Sequence, residues 1–473
     1  GETTAMANLA LCYEAGDGVP QDPVAAFAWT QLAAESDNSF ALRQLGNQYY
    51  NGQGIQADDK AASKWYTQGA EKGDPQCANA LGYLYQNGIG VKQDDLEATV
   101  WFEYAATRGY LPAVANLGEC YLWGWGVEED VAKARELLLQ AANKEDVKAR
   151  MTLASIYRSD KWGMADPAQA LSYNRQAAVT GDGSAMFSLA YFLQHADSTP
   201  EAREEARFWY TQASLEGDDM AMNNLALLYL EAIPGEQDLA AGWRWLEKAA
   251  EAGNTLAMEN LGLHYQSGKT LPKDDELAAI WLQEAAEGGQ VSSMYYLGLA
   301  YHDGQGLAVD AEQARHWLEL ASESDHAEAA FSLGCWYRDG DGLEQDAVLA
   351  LRWFQQAAKL DHGDAMAEVG QAMLFGEGCP RDPEGALIWF KKGVEAESLA
   401  AMHNLAVFYS RPMWGHLNLP AALALLQKAA DADYLPSLEV LARAYLKGEL
   451  GLAVNPTKAA ELKRRIRELR QEL

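Results

Sequence analysis

The sequence contains few cysteines, and they form no recognisable pattern. Its 473 residues include five cysteines, an odd number, and none of them belongs to a CxxC pair or to a zinc-type spacing. We therefore expect five free thiols rather than a disulfide framework. Unpaired cysteines slightly favour a reducing, cytoplasmic compartment.

Basic residues and long apolar runs are also scarce. No run of 18 or more apolar residues occurs, so the sequence predicts no membrane-spanning segment. The 37 lysines and arginines are outnumbered by 68 aspartates and glutamates, which gives a net charge of −31 at pH 7. Such a surface repels nucleic acid and anionic lipid. Two interpretations stay open: the charge keeps a monomer soluble, or it recruits a basic protein or peptide partner.

Motifs that carry catalytic chemistry are missing. The tripeptide Gly268-Lys269-Thr270 follows a helix pattern, and Leu263 stands where a phosphate-binding loop requires glycine. No GxSxG, SxxK, HExxH or EF-hand sequence occurs, and the eight histidines are scattered. We predict a protein that is not an enzyme and has neither a cofactor nor a metal site.

What the chain does contain is a repeat of 36 residues. Thirteen apolar residues, called here the anchor residues, recur at this interval without slippage: Leu9, Leu45, Leu81, Leu117, Leu153, Leu189, Leu225, Leu261, Leu297, Leu333, Val369, Leu405 and Leu441. A tyrosine lies four residues after the anchor in eleven copies, and a tryptophan lies twenty after it in nine. A fixed period of this length predicts one supersecondary unit stacked on copies of itself.

Each unit reads as a pair of helices. In residues 73–108, an apolar stripe at helical spacing predicts a first helix that ends at Gly88 and Gly90. An aspartate thirteen residues after the anchor predicts the start of the second helix. It is present as Asp22, Asp58, Asp94, Asp130, Asp166, Asp238, Asp274, Asp310, Asp346 and Asp382. We expect the repeated tryptophan of the second helix to be a core residue between units.

The fourth copy shows the pattern nearly in full, with Leu137 in place of the tryptophan, as Ala113, Leu117, Gly118, Tyr121, Gly124, Gly126, Val127, Asp130, Ala134, Ala141 and Ala142. This unit resembles the Sel1-like repeat, a relative of the tetratricopeptide repeat. The resemblance extends over essentially the whole chain. It implies an all-α, superhelical α/α solenoid of about 13 helix-turn-helix repeats, with first helices on the concave side. It also implies a non-enzymatic scaffold, adaptor or receptor for other proteins, often in bacteria.

The domain prediction is a single continuous solenoid over residues 1–473. Its repeats start near residues 1, 37, 73, 109, 145, 181, 217, 253, 289, 325, 361, 397 and 433. Residues 456–473 carry the basic residues Lys463, Arg464, Arg465, Arg467 and Arg470. We interpret this segment as a capping helix on the last repeat, with docking of an acidic partner as the alternative.

Columns that vary between copies are candidates for recognition. The residue two after the anchor reads Leu, Asn, Tyr, Glu, Ser, Tyr, Leu, Leu, Leu, Cys, Gln, Val and Arg along the chain. Aromatic residues in such columns and in one loop are the candidate partner-binding residues, with internal packing as the alternative. They are Tyr83, Trp123, Trp125, Phe187, Tyr191, Tyr295, Tyr296, Phe331 and Trp336.

Three loops depart from the repeat pattern. They lie at 159–165, 195–203 and 411–417, and Trp162 and Trp414 occupy the same column in the first and last of them. Loops that break the rule of a repeat are where function collects, although drift explains them equally well.

The sequence therefore predicts an interaction scaffold that binds a protein or peptide on its concave face. The first alternative is an immunity or inhibitor protein that neutralises a basic toxin or enzyme. The second is a hydrolase or glycan-binding protein with a site built across repeats. Because residues 1–6 align with 217–222 and 253–258, we expect the chain to begin inside a longer protein. A periplasmic or secreted location thus stays open beside the cytoplasmic one.

Overall fold

The computed structural model describes residues 2–196, 199–230, 238–269 and 271–472. Within these ranges all regular secondary structure is helical. The chain divides into two compact units, Gly1–Leu228 and Tyr229–Leu473, and each is described by itself.

The first unit is built from helices that alternate as first and second members of successive pairs. They are α1 Glu2–Ala15, α2 Pro23–Glu35, α3 Ser39–Asn51, α4 Asp59–Glu71, α5 Pro75–Asn87, α6 Asp95–Thr107, α7 Leu111–Trp123, α8 Val131–Ala142, α9 Val147–Arg158, α10 Pro167–Ala178, α11 Gly183–Ala196, α12 Pro200–Leu215 and α13 Asp219–Leu230. A short 3-10 helix, Asp160–Trp162, lies between α9 and α10. The division between the units falls near the end of α13.

The second unit continues the same alternation. Its helices are α14 Leu239–Glu251, α15 Thr255–Ser267, α16 Asp275–Glu287, α17 Val291–Asp303, α18 Ala311–Glu323, α19 Ala327–Asp339, α20 Ala347–Lys359, α21 Gly363–Phe375, α22 Pro383–Glu395, α23 Leu399–Tyr409, α24 Leu419–Asp431, α25 Leu435–Lys447 and α26 Pro456–Glu472. A second 3-10 helix, Pro412–Trp414, precedes α24. The all-α solenoid of tandem repeats is therefore confirmed as the fold class.

The aspartates predicted to start the second helices do so. All ten are N-cap residues whose side chains accept hydrogen bonds from backbone N–H groups of the first turn. Asp94, for example, accepts from the N–H groups of Leu96 and Glu97 at 3.1 Å each. These bonds satisfy donors that would otherwise lack a partner, which fixes where each second helix begins.

The two loop glycines have different tasks. Gly88 ends α5 in the left-handed region at φ 67°, where a residue with a β-carbon is strained. Gly90 has the same φ, and it also packs against the preceding repeat. A β-carbon on Gly90 would lie 2.2 Å from the carbonyl oxygen of Asp59, at the start of α4. The second glycine thus sets how closely one repeat follows the next.

The repeated tryptophan is not the core residue that the sequence predicted. All nine tryptophans of this column are half-buried, whereas the following residue is buried in each of these copies. In the third copy Phe102 is fully buried beside Gly82, where a β-carbon would lie 2.7 Å from the Phe102 ring. Trp101, one helical step of about 100° away, points to the edge of the core. Because the two helices approach closely at the glycine, the residue after the tryptophan fills the core between them.

First helices of successive repeats touch one another within each unit. In the first unit α7 contacts α9 and α9 contacts α11, and in the second unit α21 contacts α23. Successive second helices approach each other less closely among the described residues. At these positions the first helices therefore lie on the more closely packed side of the stack.

The C-terminal helix α26 covers the last repeat. Ile466 is buried in the core cluster of that repeat, and Leu462 and Leu469 pack against it. On its basic face Arg465 pairs with Asp433 and Arg470 pairs with Glu439, each at 2.5 Å. This packing buries the apolar stripe of α26 against the repeat that precedes it.

Candidate functional site

The first unit contains a groove on the side formed by its first helices. It has a volume of about 650 Å³ and lies across the first helices α7, α9 and α11, with Met220 of α13 at one edge. Three of the candidate residues, Trp123, Phe187 and Tyr191, line it. Aromatic residues predicted separately from three places in the sequence are thus brought to one site.

One wall of the groove is a row of rings along α11. Phe187 and Tyr191 lie one turn apart, with ring centroids 6.1 Å apart and planes at 24°. His195, a further turn on, stacks on Tyr191 at 4.1 Å. Behind this row Phe187 packs on the buried Tyr210 at 5.7 Å. The spacing of four residues places all three rings on the same face of the helix, which explains the wall.

The opposite wall is formed by Trp123, which belongs to a cluster of three tryptophans. Trp123 ends α7 and stacks against Trp125 of the loop, with centroids 6.2 Å apart. Trp162 meets Trp123 edge-on at 5.2 Å. Trp162 comes from the 3-10 helix that replaces the usual loop at 159–165. The first departing loop therefore packs against the tryptophan that forms this wall.

The groove exists because its floor is made of small side chains. Ala154 and Ser155 of α9 line it, and Met151 lies one turn before Ser155. Ser155 is the smallest residue in the column two after the anchor, and the same column holds Tyr191 in the next repeat. Because Ser155 is small and Tyr191 is large, a gap remains between their two helices, and the curvature of the stack does not close it. This contrast is visible in the sequence, although the candidate residues chosen from that column are the large ones alone.

The charges of the groove differ from those of the chain as a whole. Lys148 pairs with Glu119 at 2.8 Å, and the Thr152 hydroxyl donates to Glu119 at 2.9 Å. Arg158 lines the groove, is exposed, and forms no ion pair within the described part of the chain. Lys161 lies over the rings of Trp123 and Trp162, 4.5 and 5.0 Å from their centroids.

Besides the C-terminal helix, the chain has a second basic stretch. Residues 144–161 contain five cations and three carboxylates. The cations come from α9 and the two loops that flank it. They are Lys144, Lys148, Arg150, Arg158 and Lys161. A chain with a net charge of −31 therefore has a local excess of positive charge beside the tryptophan cluster.

The other candidate residues lie elsewhere or are covered. Tyr83 is exposed on α5, outside the groove lining, and Trp125 is exposed behind Trp123. Four candidates lie in the second unit, in α17 and α19. Tyr295, Tyr296 and Phe331 are half-buried, and Trp336 is buried at 8 % exposure.

Rings of the following repeat or a neighbouring helix cover three of these four residues. Tyr295 stacks on His326 at 4.8 Å, and Phe331 stacks on His362 at 4.5 Å. His302 stacks on Trp336 at 4.1 Å with planes 10° apart. The structure therefore gives these aromatic residues partners inside the protein, and they form no groove with Phe187 and Tyr191.

Neither of the two remaining loops supplies a lining residue to the groove among the residues that the structure describes. Trp414 of the 411–417 loop stacks on Phe408 at 5.1 Å, and residues 197 and 198 of the 195–203 loop lie outside the described residues. Among the described residues no three His, Cys, Asp or Glu side chains are placed to hold a metal. Burial raises the pKa of Cys77 to about 12 and that of Cys335 to about 11, so both thiols stay protonated at neutral pH.

Two further findings concern the chain as a whole. All five cysteines are free, as the sequence predicted. Within the described ranges, no helix combines the length and the apolar character that a membrane span requires.

Comparison with known families gives an extended match. The model of the Sel1 repeat family matches residues 3–38, 39–74, 75–110, 111–146, 183–218, 219–254, 255–290, 291–326, 327–362, 363–398, 399–434 and 437–462. The matches leave out 147–182, which hold α9 and α10. The repeat that supplies the floor of the groove is therefore the one that departs furthest from the family pattern.

Solved structures give similar results. The chain is 27 % identical to the c5321 protective antigen of uropathogenic Escherichia coli strains, which displays an SLR fold, over 94 % of each chain at a TM-score of 0.51. It is 28 % identical to a Sel1 repeat protein from Oxalobacter formigenes, over 68 % of this chain and 94 % of that one, at 0.50. The immunity protein Pa5087 from Pseudomonas aeruginosa is 19 % identical over 46 % of this chain and 82 % of that one, at 0.29, which is too low to support any argument. Among curated proteins no match was found.

Proposed function

Because the chain belongs to the Sel1 repeat family, whose members generally mediate protein–protein interactions, we propose that it is a non-enzymatic scaffold or adaptor. It binds a polypeptide segment of its partner in the concave groove formed by α7, α9 and α11. The observation that carries this proposal is the convergence of Trp123, Phe187 and Tyr191 on one groove of about 650 Å³.

Exposed aromatic residues on rigid helices are suited to this role. Trp123 and Tyr191 are 42 % and 40 % exposed, so each has a large apolar surface still available for burial. Residues of this kind form the energetic centres of interfaces, where removal of one side chain costs about 2 kcal/mol or more. Both are held by neighbouring rings, and little conformational freedom remains to be lost when a partner binds.

Two further features belong to the proposal. We expect a monomer, because a net charge of −31 opposes self-association. We also expect a reducing compartment, because unpaired cysteines are more typical of proteins from such compartments than of secreted ones. Light scattering and fractionation of the native host test these two expectations.

The main experiment removes the aromatic anchors and compares the captured proteins. The full chain, Trp123→Ala combined with Tyr191→Ala, and a control serve as baits in host lysate, with quantitative mass spectrometry as readout. Phe208→Ala is the matched control, since Phe208 is 54 % exposed but lies on the second helix α12, outside the groove. A partner should bind the full chain and the control, and the double variant should lose it by more than about 100-fold in affinity.

The result that contradicts the proposal is equally specific. Circular dichroism should show the same helicity and melting for all three proteins. If the double variant then captures the same partners as the full chain, the groove is not the binding site.

A further inference from the structure

The charge of the groove indicates what kind of segment it takes. Resting on the proposed function, we infer that the groove binds an acidic polypeptide segment in which an apolar or aromatic residue is accompanied by a carboxylate. The apolar residue lies between the aromatic walls. The carboxylate lies at the Arg158 end. The acidic composition of the chain, taken alone, would instead suggest a basic partner.

Arg158 is the first reason for this inference. Its guanidinium lines the groove, is exposed, and has no ion-pair partner within the described residues. An arginine whose planar donors are free at the edge of an apolar site is suited to bidentate binding of a carboxylate. Lys148, at the other end of the groove, is already paired with Glu119 at 2.8 Å. The free positive charge is therefore concentrated at one end.

The position of Lys161 is the second reason. Its ammonium group lies over the rings of Trp123 and Trp162, so it is held at the aromatic wall rather than extended into solvent. Arg158 and Lys161 are close together in the sequence. Arg158 is the last residue of α9, and Lys161 belongs to the 3-10 helix that follows. Asp160 lies between them and offsets part of this charge. A carboxylate of a partner would be a second acceptor, after Asp160, beside the cations Arg158 and Lys161.

The stripe of α9 residues that face the groove is arranged in the order that such a segment requires, with apolar or small side chains in the middle and Arg158 at the end. Lys148, Met151, Ser155 and Arg158 all line the groove, and their spacing places them along one face of the helix. The stripe is about 15 Å long at about 1.5 Å per residue. An extended segment of about five residues covers that distance. It would place an apolar side chain over Met151 and Ser155, and an acidic one near Arg158.

The experiment uses a defined probe. Random peptides of about 12 residues, more than twice the length of the stripe, are displayed on phage and selected on the immobilised full chain. The groove variant Trp123→Ala with Tyr191→Ala is used in parallel to identify binding at the groove. We expect groove-dependent peptides to contain Asp or Glu within a few residues of an aromatic or large aliphatic residue.

A charge reversal then tests the assignment to Arg158 and Lys161. Against Arg158→Glu with Lys161→Glu, the enriched acidic peptides should bind about tenfold more weakly or worse by fluorescence anisotropy, and a new selection should enrich basic peptides. Arg244→Glu with Lys248→Glu is the matched control, since it changes the net charge equally on the second helix α14. It should leave affinity and enrichment unchanged.

The outcomes separate this inference from the proposed function. Peptides that depend on the groove but are neutral or basic would overturn the inference and leave the proposed function standing. The same holds if the reversal and its control weaken binding equally, because the effect would then reflect total charge. Selection that enriches no groove-dependent peptide would contradict both.

Discussion

The groove of the first unit and the equivalent face of the second unit use the same column of the repeat differently. Phe187 and Tyr295 both lie two residues before the anchor, on first helices. Phe187 lines an open groove, whereas Tyr295 stacks on His326 of the next repeat at 4.8 Å. A variable column therefore does not by itself mark a binding surface. The residue that the next repeat places opposite decides whether a ring is available.

Two of the three covering residues of the second unit, His326 and His362, are helix caps. His326 and His362 begin α19 and α21, and their Nδ1 atoms accept hydrogen bonds from the N–H groups of Ala329 and Ala365. A capping histidine places an imidazole ring at the start of its helix. Near the groove, the corresponding helices start at Asp182 and Asp218 instead. A small acidic cap leaves the preceding ring uncovered, and an imidazole covers it.

The largest effect expected concerns the floor of the groove. Ser155→Tyr fills the gap with a ring of the type found at Tyr191 in the same column, and it should abolish peptide binding because no room remains. Gln371→Tyr introduces the same residue in the same column of the second unit, on the half-buried surface of α21. Binding measured by fluorescence anisotropy should be lost only in the first variant. Equal losses would show that the groove has no special role.

A second prediction separates binding from packing at the aromatic residues. Tyr191→Ala should weaken binding by about 10- to 100-fold with a stability loss below about 1 kcal/mol, since the residue is 40 % exposed and its ring stacks on rings of its own helix. Tyr295→Ala should instead cost about 1–3 kcal/mol of stability and leave binding unchanged, because its ring is held between repeats. Urea unfolding and peptide titration of both variants provide the test. Reversed results would overturn the comparison between the units.

The loops give a third and smaller contrast. Gly306 lies in a regular loop at φ 70°, and a β-carbon there would lie 1.8 Å from the carbonyl oxygen of Asp275. Gly163, in the departing loop beside the groove, has a similar φ of 66° but no atom within 4 Å. Gly163→Ala should cost about 1 kcal/mol for the backbone conformation alone. Gly306→Ala should lower the melting temperature further, because it also separates two repeats.

The smallest effect concerns the histidine that covers Tyr295. Burial lowers the pKa of His326 below its usual 6.5, although Glu328 and Glu259 oppose this shift. A pKa lowered by folding means that the stabilising contribution of the neutral ring is complete above pH 6.5 and is lost as the pH falls below it. A protonated Nδ1 also cannot accept the capping hydrogen bond.

His326→Asn tests this, since Asn38 and Asn254 cap their helices in the same column. Its free energy of unfolding should vary less than that of the unmodified chain between about pH 7.5 and 5. Unfolding curves in urea at several pH values measure the difference. An unchanged pH profile would show that His326 does not contribute.

The fold was predictable because it depends on local rules repeated thirteen times. The N-cap aspartates and the loop glycines act through their own backbone neighbours, so the spacing of residues such as Asp94 and Gly88 was enough. The plug of the core was harder to identify. Whether Trp101 or Phe102 is buried depends on the approach of the partner helix at Gly82, which is a tertiary distance.

The candidate site was only partly predictable for a related reason. Large residues such as Trp123 and Tyr191 are conspicuous in a variable column. The groove, however, also needs the small Ser155 between them and the altered loop that brings Trp162 alongside. These features depend on differences between adjacent repeats: a small residue where the next repeat has a large one, and a loop that departs from the repeat pattern. Comparison of neighbouring copies within the column would have indicated the gap, whereas the stacking of Tyr295 on a histidine cap required the structure.

Site-specific photocrosslinking in the native host tests the central claim most directly. A benzophenone side chain placed at position 191, in the full chain, lies in the groove, and the same group at position 208 lies on the exposed surface of α12. The account predicts a covalent adduct with a partner polypeptide at position 191 and none at position 208. An adduct at position 208 with none at position 191 would contradict it.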